Sequence, residues 1–156
     1  MLNVDLVNSK ELKIMLSRLS SQFGIENTKF LNKFLFLKNH KKKIFITTKS
    51  EKDNKLRIKR AEKAGIYFGT INKDESIRLS LEGSQIIGKV ATKNIMDLEH
   101  PQAENWLKGY DFDIPKVEDG YYLLRYKGDF LGCGLIRINK LYNFLPKTRR
   151  LKVLYD

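Results

Sequence analysis

Apolar residues near the N-terminus recur every three or four positions, which is the period of an amphipathic helix. The positions that carry this pattern are Leu12, Met15, Leu16, Leu19 and Phe23. Ser9 is a good N-cap for such a helix, and Gly24 is a good residue to end it. The polar face mixes lysines with Glu11 and several serines, a weak pattern for a helix that lies on a membrane. We therefore expect a helix from about Lys10 that packs on a sheet.

Strand patterns follow this helix. Short apolar runs at 34–37 and 44–47 flank the turn residues 39–42 and predict a β-hairpin. Residues 50–55 are polar and predict a loop, and the apolar run Ile66–Ile71 predicts a further strand. Together these elements predict a small α/β module.

The next elements are short. We predict a strand at Ile77–Leu79, one or two helical turns at 80–88, and a half-buried strand at 94–98, where polar and apolar residues alternate. Pro101 is typical of the first turn of a helix, and Gly109 would close that helix. The apolar face of this helix is formed by Ala103, Trp106 and Leu107. We expect its tryptophan to lie in the core.

A second hairpin comes after an extended stretch at 110–115. Its strands are predicted at 121–126 and 130–138, with a turn at 127–129. Gly132 and Gly134 lie inside the second strand, where glycine lowers stability unless a bulge, a barrel bend or a close partner requires it. These strands, together with a helix and a basic closing strand, predict a small mixed barrel rather than a helical bundle.

The charge of the chain is strongly positive. Its 156 residues include 30 Lys and Arg against 18 Asp and Glu, a formal net charge of +12. This balance favours a nucleic acid, an anionic membrane or an acidic protein as the partner. Many of the cations lie between residues 38 and 63, and for each one alone a solvated hairpin or loop explains the charge.

The cysteine content and the hydropathy indicate a compartment. The single Cys133 excludes an internal disulfide and a cysteine-based zinc site, and suits a reducing compartment. No apolar run approaches the roughly 20 residues that a membrane helix needs. The N-terminus lacks the pattern of a signal peptide. The sequence therefore predicts a soluble cytoplasmic protein with no membrane partner.

The stretch 140–152, KLYNFLPKTRRLK, is the most suggestive part of the sequence. It places five cations around Tyr142, Phe144 and Pro146 and contains no acidic residue. Cations interleaved with aromatic rings are suited to holding an RNA backbone and stacking its bases. The alternative is a solvated turn that leads into a last strand.

Four segments of the C-terminal half match, in order, the motifs of a known family. They are AENWLKG at 103–109, GYYLL at 120–124, GDFLGCG at 128–134 and NFLPKTRR at 143–150. In these segments the chain resembles a PUA domain, the small RNA-binding pseudobarrel, in the variant that closes the RsmF and Nop/Sun type RNA 5-methylcytosine methyltransferases. The first half resembles only loosely the segment that precedes this domain in stand-alone archaeal relatives.

The resemblance implies a fold class and a domain organisation. The fold is α+β, with an N-terminal small α/β module at 1–75 followed by a C-terminal PUA-like mixed β pseudobarrel at 76–156. The core of the match covers 94–156. RNA is expected to bind at the end of the Trp106 helix, in the loop after it and along the closing strand.

The residues expected to bind RNA fall into three groups. Phosphate contacts are predicted for Lys147, Arg149, Arg150 and Arg137, and stacking on an unpaired base for Tyr142 or Phe144. At the helix end the predicted residues are Lys108, Gly109 and Tyr110, where no side chain is expected to obstruct the backbone. Further basic surface is predicted at Lys41, Lys42 and Lys43. Asn143 and Pro146 are expected to set the turn that presents the cations.

Catalysis is not expected. The methyltransferases that carry this domain need a nucleotide-fold domain and catalytic cysteines, whereas Cys133 lies in a strand and is more typical of a packed residue. Neither His40 nor His100 has partners at metal-ligand spacing, so no metal or cofactor is predicted. Asp111 and Asp113 are the acids that an enzymatic alternative would use.

The predicted function is that of a stand-alone, non-catalytic RNA-binding protein. It would recognise structured rRNA or tRNA with an unpaired end or loop, in RNA modification or ribosome biogenesis, because A-form duplexes hide their base edges. The alternative is a protein-interaction subunit that docks a separate modification enzyme, a ribosome-assembly factor or a ribosomal particle. A small-molecule enzyme on a related barrel ranks last, because it would need a pocket with perturbed acids.

Overall fold

Two five-stranded sheets and the helices packed on them make up the α+β fold, as the sequence predicts. The computed structural model describes residues 4–49 and 65–152. The first sheet is antiparallel, and its strands lie in chain order: β1 (Val4–Leu6), β2 (Phe34–Asn39), β3 (Lys43–Thr48), β4 (Ile66–Ile71) and β5 (Ile77–Leu79). The loop predicted at 50–55 lies outside the described residues.

The second sheet is mixed. Its strands are β6 (Ile95–Asp97), β7 (Phe112–Asp113), β8 (Gly120–Tyr126), β9 (Asp129–Arg137) and β10 (Lys140–Tyr142). Their order across the sheet is β6-β8-β9-β10-β7, and β6 pairs with β8 in parallel. The helices are α1 (Ser9–Phe23), α2 (Leu81–Gly88) and α3 (His100–Leu107), with 3-10 turns at Lys29–Lys33 and Lys147–Arg149.

The start of α1 corrects the sequence prediction by one residue. Asn8, not Ser9, is the N-cap, because its side-chain oxygen accepts a hydrogen bond of 2.8 Å from the Glu11 amide. Gly24 ends the helix with a φ of 64°, as predicted. The buried face of α1 packs on the first sheet through Met15, Leu19 and Phe23.

Residues from both halves of the chain share one buried cluster. Phe36 and Phe68 of the first sheet pack in it together with Ile87 of α2, Leu123 of β8 and Cys133 of β9. The strands β4 and β5 are also paired, so the first sheet extends past the predicted domain boundary at 75 to Leu79. The division of the chain into two domains stays a prediction.

Trp106 fills a gap that two glycines leave in β9. A Cβ added to Gly132 would lie 2.9 Å from Trp106 Cζ2, and one added to Gly134 would lie 3.1 Å from Trp106 Cζ3. The indole Nε1 donates a hydrogen bond of 2.8 Å to the Leu131 carbonyl. A register shift between Leu124 and Arg125 of β8 bends the sheet at the same place. The predicted need for glycine is confirmed, and the close partners are Trp106 at both glycines and also Leu141 at Gly134.

The end of the described chain is not the strand that the sequence predicts. β10 ends at Tyr142, and the cations at 147–149 lie in a 3-10 turn. Asn143 Oδ1 accepts a hydrogen bond of 2.8 Å from the Leu145 amide, which folds the chain into a turn. Pro146 follows with no amide hydrogen to offer a neighbouring strand. Both effects stop the sheet before Lys147, Arg149 and Arg150.

In the described ranges, no helix is long and apolar enough to cross a membrane.

We expect Gly132→Ala to lower the free energy of unfolding by about 1–3 kcal/mol, because the new methyl group meets Trp106. Urea unfolding followed by tryptophan fluorescence measures the loss. Gly128→Ala is the matched control: its φ of 85° is also positive, but no atom lies within 4 Å of the added Cβ. Equal losses in the two variants would contradict the packing role of Gly132.

Candidate nucleic-acid interface

Residues 143–152, which we name the closing segment, pack on the C-terminal end of α3. Asn143 Nδ2 donates hydrogen bonds to the carbonyls of Trp106, at 2.8 Å, and Tyr110, at 3.2 Å. The Leu151 amide donates to the Leu107 carbonyl at 2.8 Å. Carbonyls in the last turn of a helix have no partner within the helix. The Leu151 bond satisfies that of Leu107, the Asn143 bond adds to that of the Gly109 amide at Trp106, and together they fix the segment. The structure thus brings together the helix end and the closing segment, as predicted.

Arg150 is part of this packing rather than a freely exposed cation. Its guanidinium Nε donates a hydrogen bond of 2.9 Å to the Leu145 carbonyl. Its Cδ lies only 2.3 Å from the position that a Cβ on Gly109 would take. The prediction that no side chain obstructs the backbone at Gly109 is therefore wrong, because the Arg150 side chain covers this glycine.

A cleft of about 300 Å³ opens beside the closing segment. We name it the junction cleft, and the residues that define it are Tyr67, Arg78, Glu82, Trp106, Phe144 and Arg149. Arg78 of β5 lies over the Phe144 ring, with its Cζ 4.3 Å from the ring centroid. Arg149 Nη1 lies 2.6 Å from Glu82 Oε1, in a salt bridge that remains partly exposed. The cleft therefore has an apolar floor and a charged rim.

The two aromatic candidates of the sequence differ in their surroundings. Phe144 is 38% exposed and lines the junction cleft. Tyr142 is half-buried at the end of β10, and the ammonium of Lys140 lies 5.5 Å from the centroid of its ring. Of the two, Phe144 is the ring that lines the cleft.

The remaining basic candidates are spread over the surface. Lys108 caps α3 beside the closing segment, and Lys147 is exposed in the 3-10 turn. Arg137 lines a separate cleft together with Lys73 and Asp119. The structure therefore groups two of these lysines with the closing segment and leaves Arg137 apart.

The lysines of the first hairpin point to different places. The Asn39 side chain accepts hydrogen bonds of 3.0 Å from the amides of Lys41 and Lys43, which fixes the turn. Lys42 lines a groove beside α1. Lys43 Nζ lies 5.7 Å from the ring centroid of Tyr67, and Tyr67 lines the junction cleft. Of the three lysines, only Lys43 contacts a residue of the cleft in the described part of the chain.

The two acids of the enzymatic alternative, Asp111 and Asp113, lie in different surroundings. Asp111 Oδ1 accepts a hydrogen bond of 2.8 Å from the Asn143 amide, and Asp113 is exposed in β7. Tyr110, which lies between the end of α3 and Asp111, is 50% exposed. Among residues 4–49 and 65–152, no group of three or more His, Cys, Asp or Glu could hold a metal ion.

The sequence predictions did not assign Tyr67, Arg78 or Glu82 to the site. Arg78 stands between Ile77 and Leu79, both buried, so the alternation of a strand places it on the other face of β5. That signal is present in the sequence. The partner it meets there, Phe144, is not indicated by any local pattern.

Cys133 lies at the floor of the junction cleft but is buried in β9. Burial raises the pKa of its thiol to about 12, so the thiol stays protonated at neutral pH. The prediction that this residue is packed is confirmed.

Since only the thiolate is nucleophilic, native protein should react with a thiol-specific disulfide reagent at about pH 8 far more slowly than a free cysteine does. The absorbance of the released thiol measures the rate. The same protein in denaturant serves as the control and should react at once. A native rate equal to the denatured rate would contradict the burial of Cys133.

Asn143→Ala should lower the free energy of unfolding by about 1–3 kcal/mol, because it leaves the Trp106 carbonyl and the Leu145 amide without their side-chain partner. Hydrogen exchange at Leu145 and Leu151 should also become faster. Asn32→Ala, at an exposed position of the first 3-10 turn, is the control. Unchanged exchange at both amides would show that Asn143 does not hold the closing segment.

Comparison with known proteins agrees with this geometry. The family described as the Methyltransferase RsmF PUA domain matches residues 93–151, a range that includes α3, the glycine strand β9 and most of the closing segment. No curated protein matches the chain. A PUA domain of the RsmF type suggests binding to RNA. The C-terminal part of this chain is therefore similar to the PUA domain of the methyltransferase RsmF.

Proposed function

We propose that this chain is a non-catalytic RNA-binding protein of the cytoplasm. It recognises structured RNA, an rRNA or a tRNA, at an unpaired end or loop, and it acts in RNA modification or ribosome biogenesis. The observation that carries the proposal is the packing of the closing segment on the end of α3. This packing brings the cations of the closing segment to the end of α3, where Lys108 lies, and the guanidinium of Arg78 lies over the half-exposed ring of Phe144.

Phosphate binding is supported by the cations of this surface. Lys147 is exposed, and its ammonium forms no hydrogen bond or ion pair within the described ranges. Lys108 lies at the C-cap of α3, next to the residue whose carbonyl binds Leu151. Each cation that meets a phosphate releases counterions, so the affinity of such a surface depends on salt.

Base binding is supported by Phe144 and the cleft beside it. An aromatic ring stacks on any unpaired base, whereas the major groove of an A-form duplex is too deep and narrow for side chains to read the base edges there. The cleft of about 300 Å³ has room for a base but not for a duplex. The surface therefore suits a single-stranded end or loop that flanks a structured region.

The absence of catalysis is the remaining part of the proposal. Cys133, the single cysteine, is a buried thiol, which makes it unsuited to attack a base. Asp111 is engaged by the Asn143 amide and serves the fold.

We expect Lys108→Ala/Lys147→Ala to weaken binding to fluorescently labelled tRNA about tenfold near physiological salt, because two phosphate contacts are lost. The log-log dependence of affinity on salt should become shallower by about 0.7 for each contact. Fluorescence titration at several salt concentrations measures both effects. Melting curves check that the variant folds.

The control is Lys10→Ala/Lys13→Ala, which removes the same charge from exposed positions on α1. It should leave the affinity within about twofold of the wild type, since α1 lines no part of the junction cleft. Equal losses in the two double variants would mean that net charge alone binds RNA. If the affinity of the wild type does not change with salt concentration, the protein-interaction alternative would be favoured instead.

A further inference from the structure

The junction cleft holds a carboxylate where a purely phosphate-binding surface would have none. Glu82 belongs to the first turn of α2, and its side chain is 34% exposed in the salt bridge with Arg149. A carboxylate beside a polyanion is unfavourable unless it binds a donor of the ligand or a cation of the protein. Oε1 of Glu82 is paired with the guanidinium of Arg149. The second carboxylate oxygen, Oε2, forms no hydrogen bond in the described part of the chain.

The Arg149–Glu82 pair presents one donor and two acceptors side by side. Arg149 Nη1 and Glu82 Oε1 lie 2.6 Å apart, and Oε2 adds the second acceptor. The guanidinium has further N–H groups to donate, because it carries five in a fixed fork. Donor, acceptor, acceptor is also the order in which cytosine presents its pairing edge. The complementary edge belongs to guanine, with O6 as the acceptor and N1–H and N2–H as the two donors.

The other bases fit this pair less well. Adenine, cytosine and uracil each offer one donor position on the pairing edge, so each leaves one carboxylate oxygen without a partner from the base. A base stacked in the cleft would displace water from this pair, which is partly exposed in the free protein. A carboxylate oxygen that then has no partner from the base costs affinity, and this is how a polar site rejects an analogue that lacks a group. Guanine satisfies all three positions.

The walls of the cleft suit a flat base. The Arg78 guanidinium lies over the Phe144 ring, with its Cζ 4.3 Å from the ring centroid. A base can stack on the ring or on the guanidinium, because both groups are flat. Trp106 and Leu79 form the apolar floor. Arg78 and Arg149 also offset the charge that Glu82 brings close to the RNA backbone.

From this geometry we infer that the junction cleft binds an unpaired guanine of the RNA. Glu82 accepts from N1–H and N2–H, Arg149 donates to O6, and Phe144 or Arg78 stacks on the base. The inference rests on the proposed function, since the surrounding phosphate contacts supply most of the affinity. It adds a base preference that the cations alone cannot provide.

The test uses four labelled RNA strands of about ten nucleotides, each oligouridine with a single G, A, C or U at the centre. Wild-type protein should bind the G strand about tenfold more tightly than the other three, the discrimination typical of a base held by two or more hydrogen bonds. Equal binding of all four strands with normal salt dependence would overturn the guanine site and leave RNA binding intact. Failure to bind these strands and tRNA would overturn the proposed function itself.

Glu82→Gln separates base reading from a merely structural role. The amide keeps one acceptor for Arg149 but turns a donor towards the donors of guanine, so the preference for G should fall below about threefold while binding to the all-U strand is unchanged. If Glu82 only positions Arg149, all four strands should weaken together, which would contradict the inference. Glu118→Gln, an exposed carboxylate outside the cleft, is the matched control and should keep the preference.

The source of the guanine is tested by competition. Guanosine monophosphate should displace the G strand only at concentrations at least about a hundredfold above those of the unlabelled strand, because it lacks the neighbouring phosphates, and adenosine monophosphate should be weaker still. Displacement by guanosine monophosphate as effective as by the strand would overturn RNA as the ligand and indicate a free nucleotide.

Discussion

The packing of Trp106 against the two glycines of β9 is the constraint on which the C-terminal half depends. It sets the distance of α3 from the second sheet, since any side chain at Gly132 would collide with the indole. It also fixes the end of the helix, whose Trp106 carbonyl then accepts the hydrogen bond from Asn143. The position of the closing segment, and of the cations on it, follows from this one contact.

The junction cleft is a product of both halves of the chain. The PUA-like part contributes Trp106, Phe144 and Arg149, while Arg78 and Glu82 come from β5 and α2, before the matched range of 93–151. These elements meet because α2 packs between the two sheets, with Ile87 in the shared core. The residues that precede the matched range therefore do more than add basic surface: they complete a wall of the candidate site.

Local patterns in the sequence were sufficient for most elements of the fold. The period of α1, the glycine at its end and the two hairpins all depend on neighbouring residues, and each is found where it was predicted. The cleft could not be predicted in this way, because Arg78 and Phe144 are brought together only by the packing of the two sheets. Arg150 was predicted to contact phosphate, and nothing nearby in sequence indicates that its side chain packs over Gly109.

The central claim is that RNA lies across the end of α3, the closing segment and the junction cleft. Amide chemical-shift mapping by NMR tests it most directly, since the chain has a mass of 18.3 kDa and can be titrated with a short guanine-containing RNA. We expect the largest changes at residues 78–82, 106–110 and 143–152. Changes confined to α1 or to the turn at 39–42, with the closing segment unaffected, would contradict the account.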